Sequence, residues 1–156
     1  VDEFTRKMVD DLGPIGGLYR LVPQHVLTAL GYTVTKVTEH REPIIFDEAV
    51  YCRPLEEDVP AGICVGTRIL AEVETAEGVT ADSSNELRVF KPGEKEHMIW
   101  EVDGLPASTI RVDRRQGVWS SSSSMINRVP DVIAAEPGIR LMSELGVMRH
   151  TALVRP

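Results

Sequence analysis

The stretch "RILAEVETAEGVTADSSNELRV", Arg68 to Val89, restricts the fold more than any other part of the chain. Ile69, Ala71, Val73 and Thr75 alternate with Leu70, Glu72 and Glu74. A period of two sends alternate side chains to opposite faces, so one face is apolar and the other mostly wet. "AEG" supplies a turn, and the run after it returns as a second strand. "KPGEKE" is a further turn, "HMIWEVDG" a strand ending in Asp-Gly, and "ASTIRVDRR" another strand after that tight turn. Successive antiparallel strands exclude a purely helical or doubly wound domain.

On either side of this region the apolar period is helical. "DEFTRKMVDDLG" places Phe4, Met8 and Leu12 on one side, ahead of Gly13. "GPIGG" breaks the chain. A second helix is predicted from near Val22, with Pro23 in its first turn, Leu21, Val22, Val26, Leu27 and Leu30 on a broad face, and Gly31 as its C-terminal cap. From Tyr32 the period returns to two: Tyr32 and Val34 face one way, Thr33, Thr35 and Val37 the other. Pro43 is expected to interrupt that strand before "IIF" resumes it, and "RPLEEDVPAG" reads as a loop. After Gly117 an apolar stripe of Met125, Ile126, Val129, Val132 and Ile133 predicts a helix kinked at Pro130. The class is α+β: a mostly antiparallel (mixed) sheet of about four to six strands, flanked by helices at the N- and C-terminal ends.

The 156 residues are the size of one domain, and 1–156 is read as a single unit. The net charge is −7, from 17 Lys and Arg against 24 Asp and Glu, which gives no basic footprint for nucleic acid or an anionic membrane. No apolar run approaches membrane-spanning length. Cys52 and Cys64 lie in strand-like surroundings and are expected to be reduced, part-buried thiols of a cytoplasmic protein.

None of the phosphate-cradling, zinc-binding or nucleophile-elbow motifs occurs in the chain. His25, His40, His97 and His150 have no ligand spacing, so no metal site is expected. The acids of "VDD" and "LEEDV" are read as solvated surface. Trp100 and Trp119 are candidates to line a ligand pocket, but a Trp within a strand more often packs in a core, and that is the reading expected of Trp100. The run Ser120 to Ser124 remains open to three readings: a helix cap, a flexible loop, or a helix start whose unpaired N–H groups receive an anionic group.

Taken in order, "DEFTRKMVDDLGPIGGLYRLVPQHVLTALGYTVTKVTEHREPI", "AEVETAEG", "WEVDGLPASTIRV" and "INRVPDVIAAEPGI" resemble the C-terminal domain of 2,4-diaminopentanoate dehydrogenases and their amine dehydrogenase relatives, which are dihydrodipicolinate-reductase-like enzymes. The resemblance covers nearly the whole chain and rests on order and spacing. It implies the substrate-binding and oligomerisation half of an NAD(P)-dependent oxidoreductase acting on an amino or imino compound. The N-terminal Rossmann domain that binds NAD or NADP is expected to be absent, so this chain holds no cofactor and no catalytic residue and is inactive alone. The family's glycine-histidine pair is replaced here by Gly16-Gly17-Leu18-Tyr19.

In the context of that resemblance, the serine run is expected to be a loop-to-helix junction facing the substrate cleft. Ser121 is the first candidate as a hydroxyl donor, followed by Ser120, Ser122 and Asn127, with Tyr19 as a pocket wall. The apolar surface of Ile69, Ala71 and Val73 together with Met98, Trp100 and Val102 is expected to form a homodimer or homotetramer through the sheet. The reading from another class is a stand-alone, non-enzymatic α+β module that dimerises or binds a small ligand.

Overall fold

Alternation in Cys64–Thr75 (β4) and Thr80–Arg88 (β5) produces the expected antiparallel hairpin, closed by a turn in which Gly78 has φ 81°. A computed structural model of the chain describes residues 17–114 and 117–148. The helix expected around Phe4, Met8 and Leu12 lies outside the described residues. The chain divides into two compact units, one ending at Pro92 and one beginning at Gly93.

The first unit opens with a helix, Leu21–Ala29 (α1), in which Pro23 and Leu27 are buried. Gly31, at φ 91°, follows it; Tyr32 N–H donates to Leu27 O and Gly31 N–H to Thr28 O, which satisfies the last carbonyls. Strand β1, Val34–Ile45, pairs with β4 to give a three-stranded sheet of order β1-β4-β5. A register shift between Val34 and Lys36 turns both Val34 and Val37 to the side of Thr75 and Val73, so strict alternation from Tyr32 fails at that bulge.

Pro43 does not interrupt β1. It sits opposite Thr67 within the strand, and β1 is an edge strand, where a missing N–H leaves no neighbour without a partner. Nor is "RPLEEDVPAG" wholly a loop, because Glu57–Val59 (β3) pairs with Val50–Cys52 (β2) in a short ribbon. Its turn sets Glu56 at φ 57°. Ile44, Val50 and Val65 form a buried cluster there, packed by Phe46, Val59 and Val89.

Along β4 the inner face is buried at Val65, Ile69, Ala71, Val73 and Thr75, while Glu72 and Glu74 are exposed. Gly66 is required by proximity. A Cβ there would overlap the Leu87 carbonyl oxygen and the Arg88 Cα and Cβ on β5. Gly66→Ala is therefore expected to separate β4 from β5 locally and to lower stability by about 1–3 kcal/mol, the range for overpacking; a denaturant midpoint equal to the parent's would refute this.

On the outer face Glu86 accepts hydrogen bonds from Arg88 Nε at 2.8 Å and Arg68 Nη2 at 2.8 Å. These bonds hold its carboxyl below the ordinary carboxylate range. A depressed folded pKa means the stabilisation is complete above the unfolded value and is lost as pH falls through the folded one. Glu86→Gln is expected to lower the melting temperature at neutral pH and to leave it little changed in acid, where the parent carboxyl is protonated too, so that the acid limb flattens; a profile identical to the parent's would count against the assignment.

The second unit carries His97–Val102 (β6), paired antiparallel with Ser108–Asp113 (β7), and a helix, Gly117–Ala134 (α2). The β6–β7 connection runs from Asp103 to Ala107 and includes a cis Leu105–Pro106 bond, so it is longer than a tight Asp-Gly turn. Trp100 is not core: every residue of β6 and β7 is exposed. Cys52 and Cys64 are both free thiols, the first buried and the second exposed. No described helix is long and apolar enough to cross a membrane.

Candidate functional site

The serine run lies inside α2, not at a loop-to-helix junction. Gly117 begins the helix, so the N–H groups from Ser121 onward fall within its hydrogen-bonded body and are not left free for an anion. The side chains bend back instead. Ser123 and Ser124 Oγ donate to Ser120 O at 3.0 and 2.8 Å, and Ser121 Oγ donates to Gly117 O at 3.2 Å. The helix also runs through Pro130 without ending, although the proline removes the bond to the Ile126 carbonyl.

Ser121 stands in a node that sequence reasoning did not reveal. Arg114 donates from Nη2 to Ser121 Oγ at 3.1 Å and to Gly117 O at 2.9 Å, and pairs with Glu96 Oε1 at 2.6 Å. The Arg114 N–H also donates to Glu96 O at 2.8 Å. Gly117 leaves room for that carboxylate, since a Cβ would overlap Glu96 Oε2. A hydroxyl has one donor and two acceptor lone pairs. Here the donor is committed to Gly117, so Ser121 has an acceptor lone pair to offer rather than the expected donor.

Ser120, Ser124, Asn127 and Asp131 share one side of α2, being separated by three or four residues. Ser120 and Asn127 are half-buried, while Ser121 to Ser124 are exposed. Arg128, on the same side, donates from Nη1 to Asp131 Oδ2 at 3.0 Å, Gly146 O at 3.0 Å and Leu145 O at 3.3 Å. That one guanidinium fixes the turn Met142–Leu145 against the helix. The opposite side carries Met125, Ile126, Val129, Val132 and Ile133, all exposed. The apolar stripe therefore points outward.

Tyr19 belongs to the first unit, in the turn before α1, and is half-buried. Close by, Glu39 Oε1 accepts from Gly17 N–H at 3.3 Å and from Arg41 Nη2 at 3.0 Å. Among the described residues no group of His, Cys, Asp and Glu is arranged to hold a metal ion. The described strands are all antiparallel, and none leads through a glycine-rich turn into a helix. Such a turn is what cradles a dinucleotide pyrophosphate, so the described residues do not fit NAD(P).

This architecture is shared with a dehydrogenase. It aligns with the amine dehydrogenase from Mycobacterium smegmatis at a TM-score of 0.82 and 28% identity, over 96% of this chain and 44% of that one. The chain thus spans less than half the length of that enzyme. The model of the 2,4-diaminopentanoate dehydrogenase C-terminal domain family matches residues 12–154, and the chain belongs to that family. Among curated proteins, none matches it.

Proposed function

We propose that the chain is the substrate-binding and self-associating half of an NAD(P)-dependent dehydrogenase acting on an amino or imino compound. The family match over residues 12–154 carries this reading. The described residues do not fit a dinucleotide, so the nicotinamide is held by another part of the parent enzyme. Hydride transfer needs the cofactor's reactive carbon held against the substrate. No step of that transfer is assigned to residues of this chain.

The proposed substrate contacts on α2 are Ser121, Ser120 and Asn127, with Ser122 a separate candidate on the side of Met125 and Ile126, and Tyr19 of the first unit is proposed as a contact in its own right. The remaining lone pair of Ser121 suits an amine N–H, and the Asn127 amide can both donate and accept. The test is nicotinamide reduction by the full-length enzyme over a panel of amines and amino acids, alongside the isolated chain. Turnover by the full-length form alone is expected. In that form Ser121→Ala and Asn127→Ala are expected to raise the amine KM about tenfold, the worth of one hydrogen bond, with the nicotinamide KM unchanged. Turnover by the isolated chain with added NAD(P) would overturn the division of labour. A full-length enzyme inactive on every amine would overturn the substrate class.

A further inference from the structure

The turn that carries Tyr19 is tied to the sheet at one point. Residues 17–20 lead directly into α1, and their other hydrogen bonds are local: Leu21 N–H donates to Leu18 O and Val22 N–H to Tyr19 O, both at 3.3 Å. The tie is the Gly17 N–H, which donates to Glu39 Oε1 at 3.3 Å across 22 residues of chain. The same oxygen accepts from Arg41 Nε at 3.3 Å and Nη2 at 3.0 Å. Among the described residues no other hydrogen bond joins this turn to a strand. Opposite Glu39 on β4 stands Ala71, 1% exposed, whose single methyl group leaves room for a longer side chain beside it.

Gly17 suits this contact in both space and backbone. It is buried, and its φ of 84° lies in the left-handed region that favours glycine. A Cβ there would stand 2.9 Å from Arg20 Nε and 3.0 Å from its Cζ, so the Arg20 side chain folds back over the residue that Glu39 holds. A hydrogen bond to a carboxylate is stronger than one to a neutral acceptor, and burial strengthens it because water does not compete. The Glu39 side chain is only 8% exposed.

We infer that Glu39 is a positioning residue for Tyr19. By holding Gly17, two residues earlier, it sets where the half-buried Tyr19 stands without itself touching substrate. Arg41 belongs to the same device, since it balances the carboxylate's charge beside Ile69 and Ala71. The inference rests on Tyr19 being a substrate contact, as proposed above, and adds what fixes that contact in place.

The test compares two double variants that differ only at position 39. Both remove the buried charge together with its partner. Glu39→Leu/Arg41→Met leaves Gly17 no side-chain acceptor, whereas Glu39→Gln/Arg41→Met keeps an amide oxygen for it. In the purified chain, exchange of the Gly17 amide with deuterium is expected to be about tenfold faster than the parent's in the leucine variant, the worth of one hydrogen bond, and close to the parent's in the glutamine variant. In the full-length enzyme the leucine variant is expected to raise the amine KM about fivefold, and the glutamine variant to restore it, with kcat and the nicotinamide KM held. Tyr19→Ala should raise the amine KM by a similar factor alone and add nothing in the leucine variant, the non-additivity of residues acting through one contact. A general loss of packing would instead move both double variants and both Michaelis constants together. Equal Gly17 exchange in the two variants overturns the tie. Faster exchange with an unchanged amine KM, or effects of Tyr19→Ala and the leucine variant that multiply, overturns the positioning role alone. An enzyme inactive on every amine overturns that role together with the dehydrogenase reading.

Discussion

Arg41→Met is expected to destabilise the first unit by about 3–5 kcal/mol, the range for removing one partner of a buried ion pair. The side chains of Arg41 and Glu39 are 11% and 8% exposed and 3.0 Å apart. They lie on the inner face of β1, where their neighbours across the ladder are Ile69 and Ala71. Glu39 Oε2 is buried without a hydrogen-bond partner. Its ionised carboxylate therefore depends on the guanidinium and on the Gly17 N–H. Without Arg41 the charge is stranded, which costs more than the pair contributes. The companion Glu39→Leu/Arg41→Met should recover most of the loss, because two apolar side chains on this face leave no charge to desolvate. Urea unfolding of the three proteins measures both quantities. A single variant within about 1 kcal/mol of the parent, the median worth of an exposed pair, would show that the pair is not buried in solution.

Ile69→Ala should cost about 2–5 kcal/mol, from the lost transfer free energy and the cavity left behind. Ile69 is 2% exposed at the centre of β4, the middle strand of its sheet. Leu70, one residue on, points to the outer face and is half-buried between His40 and Ser84. Leu70→Ala is expected to cost about 1 kcal/mol, since only part of that side chain leaves water on folding. Equal effects of the two substitutions on the denaturant midpoint would contradict the facing of β4.

The same strand explains how much of the fold could be read directly. Alternation at Ile69, Ala71, Val73 and Thr75, with a glycine turn after it, is local information, and the hairpin follows from it. Gly31 ends its helix for an equally local reason. Pro43 could not be placed that way: whether a proline is tolerated in a strand depends on whether a neighbour needs its N–H, which is a property of sheet order. Val34 and Val37 needed a bulge to face the same way. Glu39 and Arg41 look like solvated charges until Ala71 and Ile69 are known to lie beside them. At the candidate site, the serines could be assigned to the start of a helix but not to its interior. Small hydroxyl side chains suit a cap, a loop or back-bonding equally well, and the choice was made by where Gly117 begins the helix. The node of Arg114, Glu96 and Ser121 joins three elements, and no spacing in the chain marks it.

The outward stripe of α2 has a consequence for how the protein behaves in the test tube. Exposed apolar patches adhere to one another when nothing keeps the molecules apart. At neutral pH the net charge of −7 provides that separation through mutual repulsion. Near the isoelectric point of about 5.1 the repulsion vanishes while Val129, Val132 and Ile133 remain exposed. The acidity of this chain thus serves as its dispersant, and its solubility should collapse over a narrow interval of pH while the fold is still intact.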